Sequence, residues 1–595
     1  MNDTKVITVL PSDEPLVKPL PVQVVHSDVV RVRKPILQTW KEMQWFGSYD
    51  YKGLCMPRIP GLTPSEKKPL FFGVEDTMPF FLALLMGFQH ALSMMGGLIV
   101  PGVVIAGIIG MKQEDKNQIV AVALFACGLT TILHVMQLPI PFTKRIFGKQ
   151  LVLGTGMISV QGVTFAILSV GISACAHQVF VLKVDPVTAY GNFLGVCALC
   201  SLAIIFCSFF PVTIGRLVPP VVSGCTIALI GLGLLYTGFR DWGGGVNCHD
   251  FGNGAFGNCK YGKQTFLFGD AHFVGLGFCT FITTVMVEIF GSPLMRNCEV
   301  VIGLMVGYIV AAATGYVDNS KFENAPAITF PWVRTYPLGW YTPAVIPVII
   351  AMLVTVVEVV GDVKATAEAS GAAIEGPVFE QRIQGGVLMD GINCIIATVM
   401  GSCPLTTFAQ NNGVIALTKC GSRWAGYACG VWLMLFGILN KLSAVITSIP
   451  SPVLGGMTTF LWAQVMCSGL AIINMTGFTR RNRFIIGCAM ALGAGTILVP
   501  RTFGAQFTTT SGGSEGSVLW PLDASASEGL VGFRDAVIEV LTTGFAIGAI
   551  SAMILHAVLP YDEEDIYFME KAGLLSESQK AYYKAKFSSK EYMQQ

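Results

Sequence analysis

Apolar residues along this chain gather into long blocks separated by short polar stretches. The blocks at 78–100, 118–138, 190–211, 219–238, 272–290, 298–317, 343–363, 425–448, 452–474, 484–500 and 535–559 are each close to the ~20 residues a helix needs to cross ~30 Å of hydrocarbon. Three more, 150–175, 384–401 and 403–418, are apolar but interrupted. The pattern predicts an all-α polytopic membrane protein of fourteen transmembrane segments. Composition agrees: 53% of the 595 residues are hydrophobic and 13% charged, against about 25% charged in soluble domains.

Lys plus Arg (38) nearly equals Asp plus Glu (37), so no charge excess points to nucleic acid. The polar, Pro-containing first stretch lacks the apolar core of a signal peptide. An even span count puts both termini on one side. The short loops taken together are balanced in charge, but the tails and the clusters Lys144–Arg145–Lys149 and Arg480–Arg481–Arg483 favour a cytoplasmic position for both ends. Most cysteines lie in apolar runs and read as small hydrophobes. Cys248 and Cys259 instead sit in a Gly-rich polar loop, where a disulfide is open to them if the loop is extracellular.

The two short interrupted segments occupy the third place in each set of seven. One reads QLVLGTGMISVQGVTF from Gln150, the other CPLTTFAQNNGVIALT from Cys403. Unpaired backbone groups in lipid cost several kcal/mol, so irregular chain survives there only inside protein or beside a water-filled cavity. An odd number of spans per half inverts the second half relative to the first, and interrupted segments in matching positions point to a transporter's midplane site.

Ionisable residues inside the spans are the next signal. Glu358 lies two-thirds along 343–363, with Asp362 one helical turn later on the same face. A carboxylate at that depth costs roughly 2.5–3.5 kcal/mol, so it is paired, protonated or part of a site. Desolvation favours the protonated form, which suits a proton-coupling role; an ion pair with Lys364 is the structural alternative. Asp390 and Glu288 read as helix-to-helix anchors, His90 beside Gln89 as an interhelical donor, and His134 carries no supporting context. No paired Cys/His metal spacing, Walker A sequence or G-x-S-x-G elbow is present. The chain therefore reads as a non-enzyme without metal or organic cofactor.

Gln410–Asn411–Asn412–Gly413, followed by Thr418–Lys419, spells Q-N-x-G-x-x-x-x-T-K on the second broken segment. With the Gln89–His90 pair and Glu358 near Gly361–Asp362, this resembles the nucleobase–ascorbate transporter family. The resemblance runs from about residue 45 to 560 and is strongest to fungal uric acid–xanthine permeases; Lys419 stands where those tend to carry Arg. It implies a 7+7 inverted repeat. Tail 1–76 precedes a first repeat at 77–317 (spans 1–4 core, 5–7 gate), and an extracellular loop at 318–342 leads to a second at 343–560 (spans 8–11 core, 12–14 gate) and a tail at 561–595. Spans 3 and 10 would each contribute a short strand and a half-helix. A plasma-membrane homodimer taking up purines with protons, by elevator-like movement of core against gate, is the implied activity.

A flat purine edge needs paired donors and acceptors. Gln410 offers both, Glu358 a charged acceptor, Phe165 a stacking face, and Ala409 a main-chain N–H at a half-helix N-terminus. Asp362, Asp390, His90, Asn411, Gly413 and Thr418 are expected to support the site or the proton. The same signature serves uracil and, in animals, ascorbate. A channel or anion exchanger of this architecture is the rival class, but an exchanger calls for a basic residue where none stands beside Gln410.

Overall fold

Prolines, polar caps and glycines set the helix boundaries. In the computed structural model, residues 44–46, 56, 71–147, 150–210, 219–245, 258–261, 264–317, 326–373, 376–408, 410–499, 530, 537, 541 and 544–571 are described. Pro79 precedes α1 (Phe80–Ile108), and Gly110, at φ +71, turns the chain toward α2 (Gln113–Met136). Strand β1 (Leu138–Pro139), α3 (Thr143–Phe147) and β2 (Val152–Leu153) lead to β3 (Gln161–Val163). From there α4 (Phe165–Ala176) ends in a π turn at His177–Val181. Asp185 caps α5 (Pro186–Cys200) through the Val187 and Thr188 N–H groups, and α6 (Leu202–Cys207) continues it.

Next come α7 (Pro220–Trp242), the hairpin β4 (Asn258–Tyr261)–β5 (Gln264–Leu267), α8 (Ala271–Phe290), α9 (Pro293–Asn297) and α10 (Glu299–Ala313). The second half holds α11 (Val345–Ala369), α12 (Pro377–Met400), β6 (Leu405–Thr407), α13 (Gln410–Thr418), α14 (Arg423–Ile438) and α15 (Asn440–Thr447). It ends with α16 (Ser451–Met475), α17 (Arg480–Leu498), α18 (Gly544–Val558) and α19 (Glu563–Lys571). Gly401, at φ +99, stops α12.

Among the described residues, 8 helices are long and apolar enough to cross a membrane. The other expected spans take different forms. Segments 150–175 and 403–418 are strands followed by short helices, and 425–448 breaks at Leu439 into α14 and α15. Within 298–317, α10 has 15 residues; within 535–559, the 15 residues of α18 form a short apolar helix. α17 opens on Arg480, Arg481 and Arg483, which lower its hydropathy. The chain is thus a mostly helical, multi-pass membrane protein.

The main buried cluster centres on α1, α2, α4, α5, α11, α12 and α14 and continues into α7, α16 and α18. A second, with Val221, Cys225, Ile473, Ile485 and Ala552, joins α7, α16, α17 and α18; a third, around Phe273, Ala311 and Val453, joins α8, α10 and α16. α2 buries 72% of its span and α8 only 33%, so α8 turns most of its apolar surface outward.

The lead-in expected to be tail up to residue 76 is structured from residue 71. Phe72 pairs in parallel with Cys420: its N–H donates to Lys419 O at 2.9 Å, and the Gly421 N–H donates to Phe72 O at 2.8 Å. Glu75 pairs with Arg423 at 2.5 Å. Here the lead-in chain takes up backbone groups just past α13 that an exposed end would leave open. At the opposite end of α14, residues 326–341, between α10 and α11, form a strap. Thr329 N–H donates to Ile438 O (3.0 Å), Trp332 reaches Val399 O (3.2 Å) and Gly339 N–H donates to Gly191 O (3.3 Å). Arg334 pairs with Glu114 and, at 2.9 Å, with Asp115. Cys248 lies outside the described residues, as does the side chain of Cys259.

Candidate functional site

The two interrupted segments meet each other. β3 and β6 pair antiparallel, with Gln161 opposite Thr407, Gly162 opposite Thr406 and Val163 opposite Leu405. Two three-residue strands are too short for a stable sheet; here they are held by what surrounds them. Every residue of both strands is buried. The Phe408 ring lies over Gly162, where an added Cβ would sit 2.1 Å from it, so glycine is what lets the strand and the ring approach. Thr164 N–H donates to Pro404 O at 3.2 Å, closing the pair beyond its last rung.

Both short helices start where this pair ends. α4 begins at Phe165 and α13 at Gln410, so the open N–H groups of two helix N-termini face the crossing, with the partial positive charge they carry. The side chains of Phe165 and Gln410, and all of Ala409, lie outside the described residues. Gly413 falls within α13.

Helix α11 flanks the crossing. Its Thr355 meets Thr164 at 3.2 Å between hydroxyls, and its Thr366 donates to Asn412 Oδ1 at 2.5 Å. Glu358 is half-buried on this helix, and Asp362 one turn later is buried. Asp362 lies within electrostatic reach of Glu358 and Asp390, so acids from α11 and α12 gather beside the crossing.

Asp390 is fully buried on α12, and its Oδ2 accepts the Thr407 N–H at 2.8 Å. Read from sequence as a helix-to-helix anchor, it fixes a strand, because the outward N–H of β6 has no third strand to bond. Asn411 donates to Ile158 O at 2.6 Å, tying α13 to the approach of β3. His90 on α1 is fully buried and faces Asn411, with neither ring nitrogen in hydrogen-bonding geometry. Thr418 donates back to Val414 O (2.7 Å) and accepts the Cys420 N–H (3.3 Å), finishing α13.

Two residues of this region carried no weight in the sequence reading. His134, on α2 and fully buried, brings Nδ1 within 3.3 Å of Asp390 Oδ1 and 3.2 Å of Gln161 Nε2. Gln161, on β3, accepts from Asn393 Nδ2 at 2.9 Å through Oε1, and its backbone N–H donates to Thr131 Oγ1 at 3.0 Å. The available signal was weak: a lone polar residue in an apolar run, without a partner at helical spacing. Its partner lies 27 residues away on a strand.

No group of three or more His, Cys, Asp or Glu among the described residues could hold a metal ion. The arrangement offers buried carboxylates, amides and two helix N-termini around one crossing, which suits a small polar ligand rich in N–H and C=O groups.

The Xan_ur_permease model, described as a permease family, matches residues 82–502. The uric acid-xanthine permease of Emericella nidulans is 40% identical over 531 residues, 87% of this chain and 88% of that protein. Xanthine permease XanQ of Escherichia coli strain K12 is 32% identical over 441 residues, 73% of this chain and 87% of that one. The solved transmembrane domain of a cyanobacterium bicarbonate transporter, BicA, aligns with TM-score 0.45 and 14% identity, covering 71% of this chain and 96% of that chain.

Proposed function

The chain belongs to this permease family, the nucleobase–ascorbate transporters, and on that premise we propose that it carries xanthine and uric acid across the plasma membrane with protons. The crossing of β3 and β6 beside Glu358, Asp362 and Asp390 is the observation that carries this reading. A purine would lie against the N-termini of α4 and α13, with Gln410 and the backbone N–H of Ala409 on its edge. Phe165 would stack on its face and Glu358 would accept its ring N–H groups. Asn411 and Thr418 hold α13 in place, with His90 packed against Asn411 and Gly413 within the helix.

Coupling follows from charge. Three carboxylates converging in one buried place repel one another and pay for desolvation. Protons bound there lower that cost while the loaded site crosses the dry part of the protein, and release on the inside leaves the acids free to repel again. Close acids titrate as a group, so the proton belongs to the cluster.

The packing supports a 7+7 inverted repeat of fourteen spans. Contacts come in pairs related by a shift of seven: β3 with β6, α7 with α16, and α2 with α14 as α12 with α5 and α6. By that count α7, α8, α10 and α16–α18 are a gate, and α1, α2, α4–α6 and α11–α15 a core. Elevator-like movement of core against gate, in a homodimer with both termini cytoplasmic, completes the proposal.

Radiolabelled xanthine uptake by surface-expressed Glu358→Gln and Gln410→Ala proteins tests it, with competition by urate, uracil and ascorbate. Proton-dependent xanthine uptake at wild-type level in both variants would refute the site. Competition by uracil or ascorbate alone would move the substrate class.

A further inference from the structure

His134 is the buried group that the proposed transport chemistry leaves unused. Its Nδ1 is hydrogen-bonded to the Gln161 amide nitrogen at 3.2 Å and lies 3.3 Å from Asp390 Oδ1, a buried oxygen that has no hydrogen bond in this arrangement. A neutral imidazole nitrogen is either a donor or an acceptor. If Nδ1 carries its lone pair, Gln161 donates to it, and Asp390 can join only by bringing its own O–H. If Nδ1 carries the hydrogen, it donates to Asp390 carboxylate, and the Gln161 amide turns its oxygen toward the ring.

The second arrangement is within reach. Turning Gln161 presents its NH₂ to Asn393, whose Oδ1 is buried and without a hydrogen-bond partner. The Asn393–Gln161 bond of 2.9 Å then reverses direction, with Asn393 accepting where it now donates. Adding or removing one proton at Asp390 thus changes the tautomer of His134 and the sense of two amides. Gln161 sits on β3, and Asp390 holds the Thr407 N–H of β6, so both strands of the crossing feel it.

We propose that His134 is a positioning residue for transport: by taking either hydrogen-bonding sense it offers the Asp390 carboxyl a partner in both of its protonation states, and Gln161 and Asn393 carry that change to the β3–β6 crossing. This rests on the proton-coupled reading above. The titratable groups facing Asp390 are His134 from α2, Glu358 and Asp362 from α11, and Cys394 on its own helix. Asp390 alone among these acids has a ring nitrogen against it, which is why the role falls to His134.

Surface-expressed His134→Leu and His134→Asn proteins are compared with wild type in xanthine uptake between pH ~5 and ~8. Leucine removes the two-way partner, whereas asparagine keeps a polar group where Nδ1 stood. Maximal uptake should fall about tenfold in His134→Leu, the effect of one unpaired buried group, with KM within about twofold and a flattened pH profile. His134→Asn should recover most of the rate. A wild-type pH profile in His134→Leu, or equal loss in both variants, would make the histidine a packing residue and overturn the inference.

Gln161→Met, which removes the amide alone, must flatten the profile too, and an unchanged profile there counts equally against it. Melting temperature over the same pH range needs no substrate. The gap between wild type and His134→Leu should vary with pH, and a constant gap sinks the idea even if xanthine proves not to be the cargo. Saturable wild-type uptake missing altogether would instead fail the purine reading.

Discussion

The β3–β6 crossing and the α7–α16 seam are both buried, and they are built by opposite means. At the crossing, directed hydrogen bonds join named partners: Thr407 N–H to Asp390, Asn393 to Gln161, Asn411 to Ile158 O, with the Phe408 ring packed on Gly162 beside them. Along the seam, Thr226 and Thr458 turn their hydroxyls back onto their own helices, and the contact is one of shape. There a Cβ on Gly231 would meet Met466 N at 2.4 Å, and one on Gly469 would meet Ala228 N at 2.3 Å. Small residues let membrane helices approach without any hydrogen bond between them. Polar matching belongs where a ligand must be discriminated, and close apolar fit where two helices need only stay together.

Enlarging a glycine on each side breaks the comparison most sharply. Gly162→Val forces the Phe408 ring off β3; uptake normalised to surface expression should fall about a hundredfold, since overpacking of about 3 kcal/mol lands on the site itself. Retained uptake would show that the crossing tolerates displacement. Gly231→Val imposes a similar clash on the seam. Its expected result is a melting temperature lowered in keeping with about 1–3 kcal/mol, with the KM for xanthine unchanged. A shifted KM would mean that the seam helps to shape the site.

The smallest effect lies at the N-terminus of α8, outside both regions. Asp270 accepts the His272 N–H at 2.9 Å, with the imidazole at 2.6 Å, and these contacts hold its carboxyl below the usual carboxylate range. A depressed value stabilises the fold above the unfolded value of about 4, and the benefit disappears as pH falls through the folded one. Asp270→Ala should therefore melt slightly lower than wild type at neutral pH and together with it in acid. A gap that persists in acid, once the carboxyl is protonated in the folded state too, would assign the loss to packing.

Much of the molecule was legible because membrane physics is one-dimensional at first order. Hydrocarbon thickness selects apolar blocks, and lipid's intolerance of open backbone singles out 150–175 and 403–418. Glu358 and Asp362 stood out by depth, and the Q-N-x-G stretch by its pattern. What the sequence left open was anything that depended on a distant partner. Asp390 was expected to anchor helices and to support the site, and its carboxylate holds strand β6. Residues 71–76 read as tail because nothing local showed that Cys420 and Arg423 would lie beside them.

Sequence alone determined a multi-pass helical protein with two interrupted segments and acids buried at depth, because the cost of placing charge or bare backbone in hydrocarbon depends only on the residue and its position in the span. Tertiary structure alone decided that those segments pair with each other and that His134, Gln161 and Asn393 close the network around Asp390. A hydrogen bond has direction and a reach of about 3 Å, and neither property is written in residues that lie far apart along the chain.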